Sequence, residues 1–332
     1  MYAGQAPRLA GAELAVFGES VLSACPRDVA EVRIGGVPYV GFATDRPLSG
    51  ADLRHLANLS AAYALFAVEG DLLRPVELAP CAVYDEDLIT IPKYAGKTNE
   101  QFTKLLLNVT VLASAYGPLM LERRLVVLDP LCGRGTTLSH ALRYGYDALG
   151  IEIDGAHVDA YGAFLRTWLR RKRLKHTVEA APVRRERRVV ARRLTATMAP
   201  DRDAHRAGDV QRLTLLQADA TRARELLRAG CCDVIVTDLP YGVAHGASTA
   251  GSDRRSRSPR ELLRAALPGW AELLRHGGAI GISFNTHVLG RDDAATLLAG
   301  AGLDVVATPA YGGFAHRVDQ AIARDVLVAR RL

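Results

Sequence analysis

Residues 124–145 read RLVVLDPLCGRGTTLSHALRYG. A short apolar run, Leu125 to Leu128, ends at Asp129 and Pro130. Gly133 and Gly135 follow, and a helical pattern starts at once and closes at Gly145. A strand that turns through glycines straight into a helix is the opening unit of an α/β sheet, and ligands of such sheets gather at the carboxyl ends of the strands. Glycine at both turn positions permits positive φ and a close approach of ligand to backbone. The spacing is not GxGxxG and no GK[ST] is present, so neither a dinucleotide fingerprint nor a Walker loop is matched.

The same alternation continues downstream. DALGIEID (147–154), LTLLQAD (213–219), CDVIVTD (232–238) and AIGISFNT (279–286) read as strands. Between and after them, AHVDAYGAFLRTWLRRKRLK (156–175), TRARELLRAG (221–230), PRELLRAALPGWAELLRHG (259–277) and DDAATLLAGAG (292–302) read as helices. β-α alternation predicts a mostly parallel sheet flanked by helices. The last strands, LDVVATPA (303–310) and ARDVLVARR (323–331), have no helix between them and predict a terminal antiparallel pair. Upstream, QFTKLLLNVTVLASAY (101–116) brings Leu105, Val109, Leu112 and Tyr116 to one helical face. Residues 1–90 contain the β-like runs AELAVF, EVRIGG, VPYVGFAT and AYALFAVEG and one helical stretch, GADLRHLANLSAAY. They predict a small α+β N-terminal domain, with a linker at 75–95 marked by Pro75, Pro80 and Pro92, and a main domain over 91–332.

Three acids stand in order at strand ends: Asp129, Glu152 and Asp219. Glu152 follows the glycine turn by about twenty residues, where a carboxylate can accept both hydroxyls of a ribose. Asp219 can accept a hydrogen bond from an adenine amino group. Asp154, the rival to Glu152, suits an N-cap.

With these acids in place, DPLCGRGT resembles the first motif of the class I S-adenosylmethionine (SAM)-dependent methyltransferases. The resemblance implies a Rossmann-like sheet, with SAM held by Asp129, Pro130, Cys132, Gly133, Gly135 and Thr136. It implies Glu152 on the ribose, and Asp219 with the adjoining Ala220 on the adenine. KYAGKTNEQFTKLLLN resembles the stretch that covers the methionine part of SAM, with Lys97, Thr98 and Asn99 on its carboxylate. Asp238-Leu239-Pro240-Tyr241 resembles the [N/D/S]-P-P-[Y/F] motif of enzymes that methylate planar amino groups, with leucine where proline is usual. Such a nitrogen has its lone pair delocalised. The Asp238 carboxylate and the Leu239 carbonyl can accept its N–H groups and favour a pyramidal nitrogen. Pro240 stiffens the turn, and Tyr241 offers a face for stacking an unpaired base. VTDLPYGVAHG, GRGTTL and RVDQAIARDVLVARR are together similar to the tRNA guanine-N2 methyltransferases, including the THUMP-associated ones, over residues 92–332.

Charge points the same way. Residues 166–212 hold fifteen Lys/Arg and five Asp/Glu, a net of +10, which leaves −4 for the rest of a chain of net +6. A concentrated basic segment, expected as an insertion at about 170–212, suits a polyanionic partner such as tRNA. The five cysteines have no CxxC spacing, so neither a disulfide framework nor a zinc site is expected, and a reducing cytoplasm fits. No apolar run is long enough to cross a membrane. Rival readings are a DNA adenine-N6 or cytosine-N4 methyltransferase, a methyltransferase for a small-molecule or peptide nitrogen, and an RNA-binding protein that keeps the fold without activity. His245 and His316 are further candidates as bases. The run SDRRSRSPR is a candidate for closing over the substrate.

Overall fold

The computed structural model describes residues 2–241 and 258–332, with side chains from residue 5 onward. Gly242, His245 and most of SDRRSRSPR lie outside the described residues. Helix α1 (Tyr2–Ser20) precedes two antiparallel ribbons, β1 (Pro26–Ile34) with β2 (Val37–Thr44), and β3 (Leu65–Glu69) with β4 (Leu72–Val76). Helix α2 (Gly50–Leu56) lies between the ribbons in sequence, and α3 (Asp87–Thr90) leads to α4 (Glu100–Ala113). The alternating part follows: β5 (Val126–Asp129), α5 (Thr136–Arg143), β6 (Asp147–Glu152) and α6 (Gly155–Arg171). Next come β7 (His176–Arg185), β8 (Arg188–Met198), α7 (Arg202–Arg206), β9 (Gln211–Gln217) and α8 (Ala223–Leu226). The chain ends with β10 (Cys232–Asp238), α9 (Pro259–Leu273), β11 (Leu274–Asn285), α10 (Arg291–Gly300), β12 (Asp304–Val305), β13 (His316–Arg317) and β14 (Ala323–Arg330).

One large sheet runs β12-β14-β11-β10-β5-β6-β9-β8-β7, with β13 also on β14. The five strands β11, β10, β5, β6 and β9 are parallel, whereas β14 and β8 are antiparallel to their parallel neighbours. The expected α/β, Rossmann-like sheet with an antiparallel C-terminal edge is therefore present. After β5 the chain builds outward through β6 and β9, then returns to the other side of β5 with β10. That reversal opens a crevice at the carboxyl ends of β5 and β10, the usual ligand position in such sheets.

Alternate side chains of each strand enter opposite layers, as period-2 strands require. Val234, Val236, Val326 and Val328 join α4, α5 and α6 on one face, while Ile235, Leu327 and Ala329 join α9 and α10 on the other. Helix α4 is enclosed over most of its surface: Leu105, Leu106, Leu107, Val109 and Val111 are all at most 2% exposed, and Asn108 and Thr110 are buried with them. It packs against β11, β10, β14, α1 and α5.

Two segments differ from expectation. AELAVF lies inside α1, not in a strand. Leu9, Glu13, Val16 and Phe17 form its buried stripe at i, i+4, i+7 and i+8. The buried charge at Glu13 breaks that stripe in the sequence and leaves a false alternation. Glu13 accepts bonds from Ser60 and Asn108, and burial raises its pKa. Leu9, Val16 and Phe17 share one core with α4, and α1 also packs against β1, β2 and α2.

The second difference is the basic insertion at about 170–212, in which no strand was expected. It forms the long hairpin β7–β8, which extends the sheet beyond β9. Its turn residues Glu186 and Arg187 both have positive φ, 46° and 65°, the geometry of a two-residue hairpin turn. That turn normally announces itself by Asn-Gly or Asp-Gly, and here nothing in the residue types does.

Candidate functional site

A cleft of about 1050 Å3 occupies the crevice. The turn after β5 lines one side through Asp129, Leu131, Cys132, Gly133, Arg134 and Thr136, and the end of β10 lines the other through Asp238, Leu239, Pro240 and Tyr241. Tyr94, Thr98 and Phe102, from the approach to α4 and its first turn, also line it.

The turn is built by its glycines and by Glu152. Gly133 has φ +53° and donates its N–H to Glu152 Oε2 at 2.9 Å. The second carboxylate oxygen accepts the Asp154 N–H at 2.8 Å. Glu152 thus locks the glycine turn to the end of β6, and each oxygen keeps a further lone pair for a ligand. Gly135 has φ +79°, and a Cβ there would lie 2.5 Å from the Tyr161 ring. Its role is close packing under the turn, and it does not line the cleft. Gly135→Ala is expected to destabilise the fold by about 2 kcal/mol or more, through overpacking and a left-handed backbone. Urea unfolding checks this. Pro130 is buried beside the cleft, and Cys132 donates its backbone N–H to Ile151 O. Thr136 Oγ1 lies 2.9 Å from Tyr94 Oη.

Asp129 is 3% exposed, and its carboxylate accepts from the Leu131 N–H and the Thr237 hydroxyl. Burial raises its pKa from 3.8 to about 6, and Asp238 nearby adds to the rise. The folded chain therefore takes up a proton that the unfolded chain does not, so stability from this group falls as pH rises from about 4 to about 6 and is level above. An ammonium ligand would favour the ionised form.

Asp238 gathers the other side. Its carboxylate accepts the Thr98 hydroxyl at 2.7 Å and the Tyr241 hydroxyl at 2.5 Å. Leu239 is anchored by its N–H to Ser283 O at 2.8 Å, so proline at this position is not needed to hold the turn. Arg324, which the sequence reading did not single out, lies with its guanidinium carbon 5.0 Å from the Tyr241 ring centroid and 4.3 Å from that of Phe102. One face of Tyr241 is thereby occupied.

Each of the three residues expected on the cofactor carboxylate has a partner of its own. Lys97 Nζ donates to Ile89 O, Pro92 O and Glu100, which ties down the segment before α4. Asn99 is the N-cap of α4 and accepts from the Phe102 N–H at 3.0 Å. Thr98, which could have been the cap, points instead to Asp238. Asp219 caps the turn at 220–222 through Thr221, and Ala220 O accepts the Trp270 indole N–H. Neither lines the cleft, which extends in that direction as far as His157, 3.9 Å from Glu152. Asp154 caps α6, as its position suggested. His316 is buried, its Nδ1 lies 2.8 Å from Phe314 O, and burial lowers its pKa.

No protein-family model matches the chain, and no curated protein matches it. Among solved structures, the chain is similar to the rRNA methyltransferase aviRa from Streptomyces viridochromogenes (12% identity, 75% of this chain and 100% of that one, TM-score 0.41). TrmN from Thermus thermophilus is 17% identical over 74% of this chain and 52% of its own, with a TM-score of 0.38. A TehB-like SAM-dependent methyltransferase from Corynebacterium glutamicum is 14% identical over 64% of this chain and 84% of its own, with a TM-score of 0.36. These likenesses are distant, and the functional reading rests on strand order and on the residues of the crevice.

Proposed function

We propose that the chain transfers a methyl group from SAM to an exocyclic amino nitrogen of a nucleic-acid base, guanine N2 in tRNA being the best-supported acceptor. One observation carries the reading: the sheet reversal sets the glycine turn after β5 and Asp238 after β10 on opposite walls of one cleft. An open glycine turn, a buried acid for an ammonium group and Glu152 for a ribose fit SAM. The bound cofactor supplies an electrophilic methyl group.

The chain's own residues position the acceptor. A carboxylate has about four lone-pair sites, so Asp238 can keep Thr98 and Tyr241 and still accept an amino N–H. The two hydroxyls hold the carboxylate at a fixed angle, which is what positioning a weak nucleophile requires. After transfer the nitrogen sheds a proton, and Asp238 is the carboxylate beside it.

The hairpin supports a polyanionic acceptor. Arg192 on β8 pairs with Gln217 at the carboxyl end of β9, so residues 184–188 project beyond the carboxyl edge of the sheet, on the side where the cleft opens. At about 3.3 Å per residue, four residues past Arg192 extend it by about 13 Å. Arg184, Arg185, Arg187 and Arg188 are exposed there and form no ion pair among the described residues.

If Asp129 receives the ammonium group of the cofactor, affinity for S-adenosylhomocysteine is expected to fall about tenfold between pH 7.5 and pH 5, and Asp129→Asn is expected to flatten that dependence. Calorimetry at several pH values measures it. Labelled methyl transfer to unfractionated tRNA, with duplex DNA as parallel acceptor, tests the choice of acceptor. Transfer to DNA alone would select the adenine-N6 or cytosine-N4 reading.

A further inference from the structure

A second cavity, of about 170 Å3, lies behind Thr98, which lines both it and the main cleft. Its other walls are Lys97, Asn99, His316, Arg317, Val318 and Arg324. Arg324 is 5% exposed, and its Nε has no hydrogen-bond partner among the described residues. Its one ion pair there, Nη2 to Asp238 Oδ2 at 3.9 Å, is too long for a hydrogen bond. The guanidinium is held instead by the rings of Phe102 and Tyr241. A buried guanidinium whose directed N–H groups are unspent is costly unless an anion completes it.

The surroundings favour an anion. Asn99 caps α4, whose fourteen residues direct the positive end of the helix toward this cavity. Across the terminal turn, His316 pairs directly with Arg324, and Arg317 is exposed at the rim. The Arg317 Nε is used by Asp319 O, and Lys97 is neutralised by Glu100. Arg324 is thus the buried charge that a ligand would meet.

We infer that this cavity binds a phosphate group of the nucleic-acid acceptor, through Arg324 and Arg317. Planar guanidinium groups match phosphate oxygens in pairs. The sheet order separates this anion from the cofactor. β14 lies two strands from β10, on the side away from β5 and its glycine turn, a separation of about 10 Å. A phosphate here would hold the backbone of the nucleotide whose base reaches Asp238, so the assignment rests on the acceptor reading given above. Arg324 is then a positioning residue.

Calorimetric titration of the full chain with inorganic phosphate tests the site without any turnover. Wild type should bind phosphate, while Arg324→Met, which keeps apolar bulk between the two rings, and Arg317→Ala, at an exposed position, should each weaken binding at least tenfold. S-adenosylhomocysteine affinity should stay within about twofold in both variants, and the KM for tRNA should rise at least tenfold. Equal phosphate binding in wild type and Arg317→Ala and Arg324→Met would overturn the site. Loss of S-adenosylhomocysteine binding in place of phosphate binding would assign the cavity to the cofactor carboxylate and overturn it as well. Phosphate binding that depends on both arginines, with no methyl transfer to any nucleic acid, would overturn the acceptor reading and its nucleotide assignment while the anion contact itself stood.

Discussion

Asp238→Ala is expected to lower methyl transfer to tRNA by about 10²–10³-fold, the scale on which loss of one preorganised polar group acts on a transition state. S-adenosylhomocysteine affinity should change little, because Asp238 stands on the β10 wall and the glycine turn on the β5 wall. The effect has three parts. The amino nitrogen loses its acceptor, the Thr98 and Tyr241 hydroxyls lose theirs, and Arg324 loses the charge 3.9 Å away. Asp238→Asn separates them, since its carbonyl oxygen can still accept one hydroxyl while the charge is gone. Tyr241→Phe should cost less, as the ring remains beneath Arg324 and only one donor to Asp238 is lost. Single-turnover rates with saturating SAM distinguish these variants from simple loss of binding.

Replacing Arg184, Arg185, Arg187 and Arg188 together by serine is expected to weaken tRNA binding on the order of 10²-fold at low salt, and to reduce the log–log salt slope by about 3 to 4. Each arginine is exposed, so none carries core packing, and the turn at Glu186 and Arg187 needs positive φ that serine tolerates no worse than arginine. The melting temperature should therefore hold while binding falls. A filter-binding series in potassium chloride gives both numbers. The variant should retain its S-adenosylhomocysteine affinity, since β8 lies three strands from β5 and its glycine turn.

The strands that form the crevice were legible because each is short, apolar and followed by a helix, and because an acid marks three of their ends. The alternation on β10, with Val234 and Val236 on one face and Ile235 on the other, is a doubly covered strand written directly in residue types. Helix α1 was not legible, since the buried Glu13 interrupts its stripe and is explained only by Ser60 and Asn108, 47 and 95 residues away. The β7–β8 hairpin was hidden by its charged, glycine-free turn. In the candidate site, residue types singled out Asp238, Glu152 and the glycine turn, but not who bonds to whom. Lys97 and Asn99, expected on the cofactor carboxylate, also tie down the segment before α4 and cap that helix. Arg324 was invisible because its meaning is its burial between two rings from distant segments.

Nucleoside analysis of RNA after labelled methyl transfer from SAM addresses the central claim most directly, with DNA and protein offered as parallel acceptors. The account predicts label in tRNA, carried by a base-amino-methylated nucleoside and concentrated in N2-methylguanosine, and its loss with Asp238→Ala. Label confined to protein or to small molecules, or tRNA methylation that survives Asp238→Ala at the wild-type rate, would contradict it.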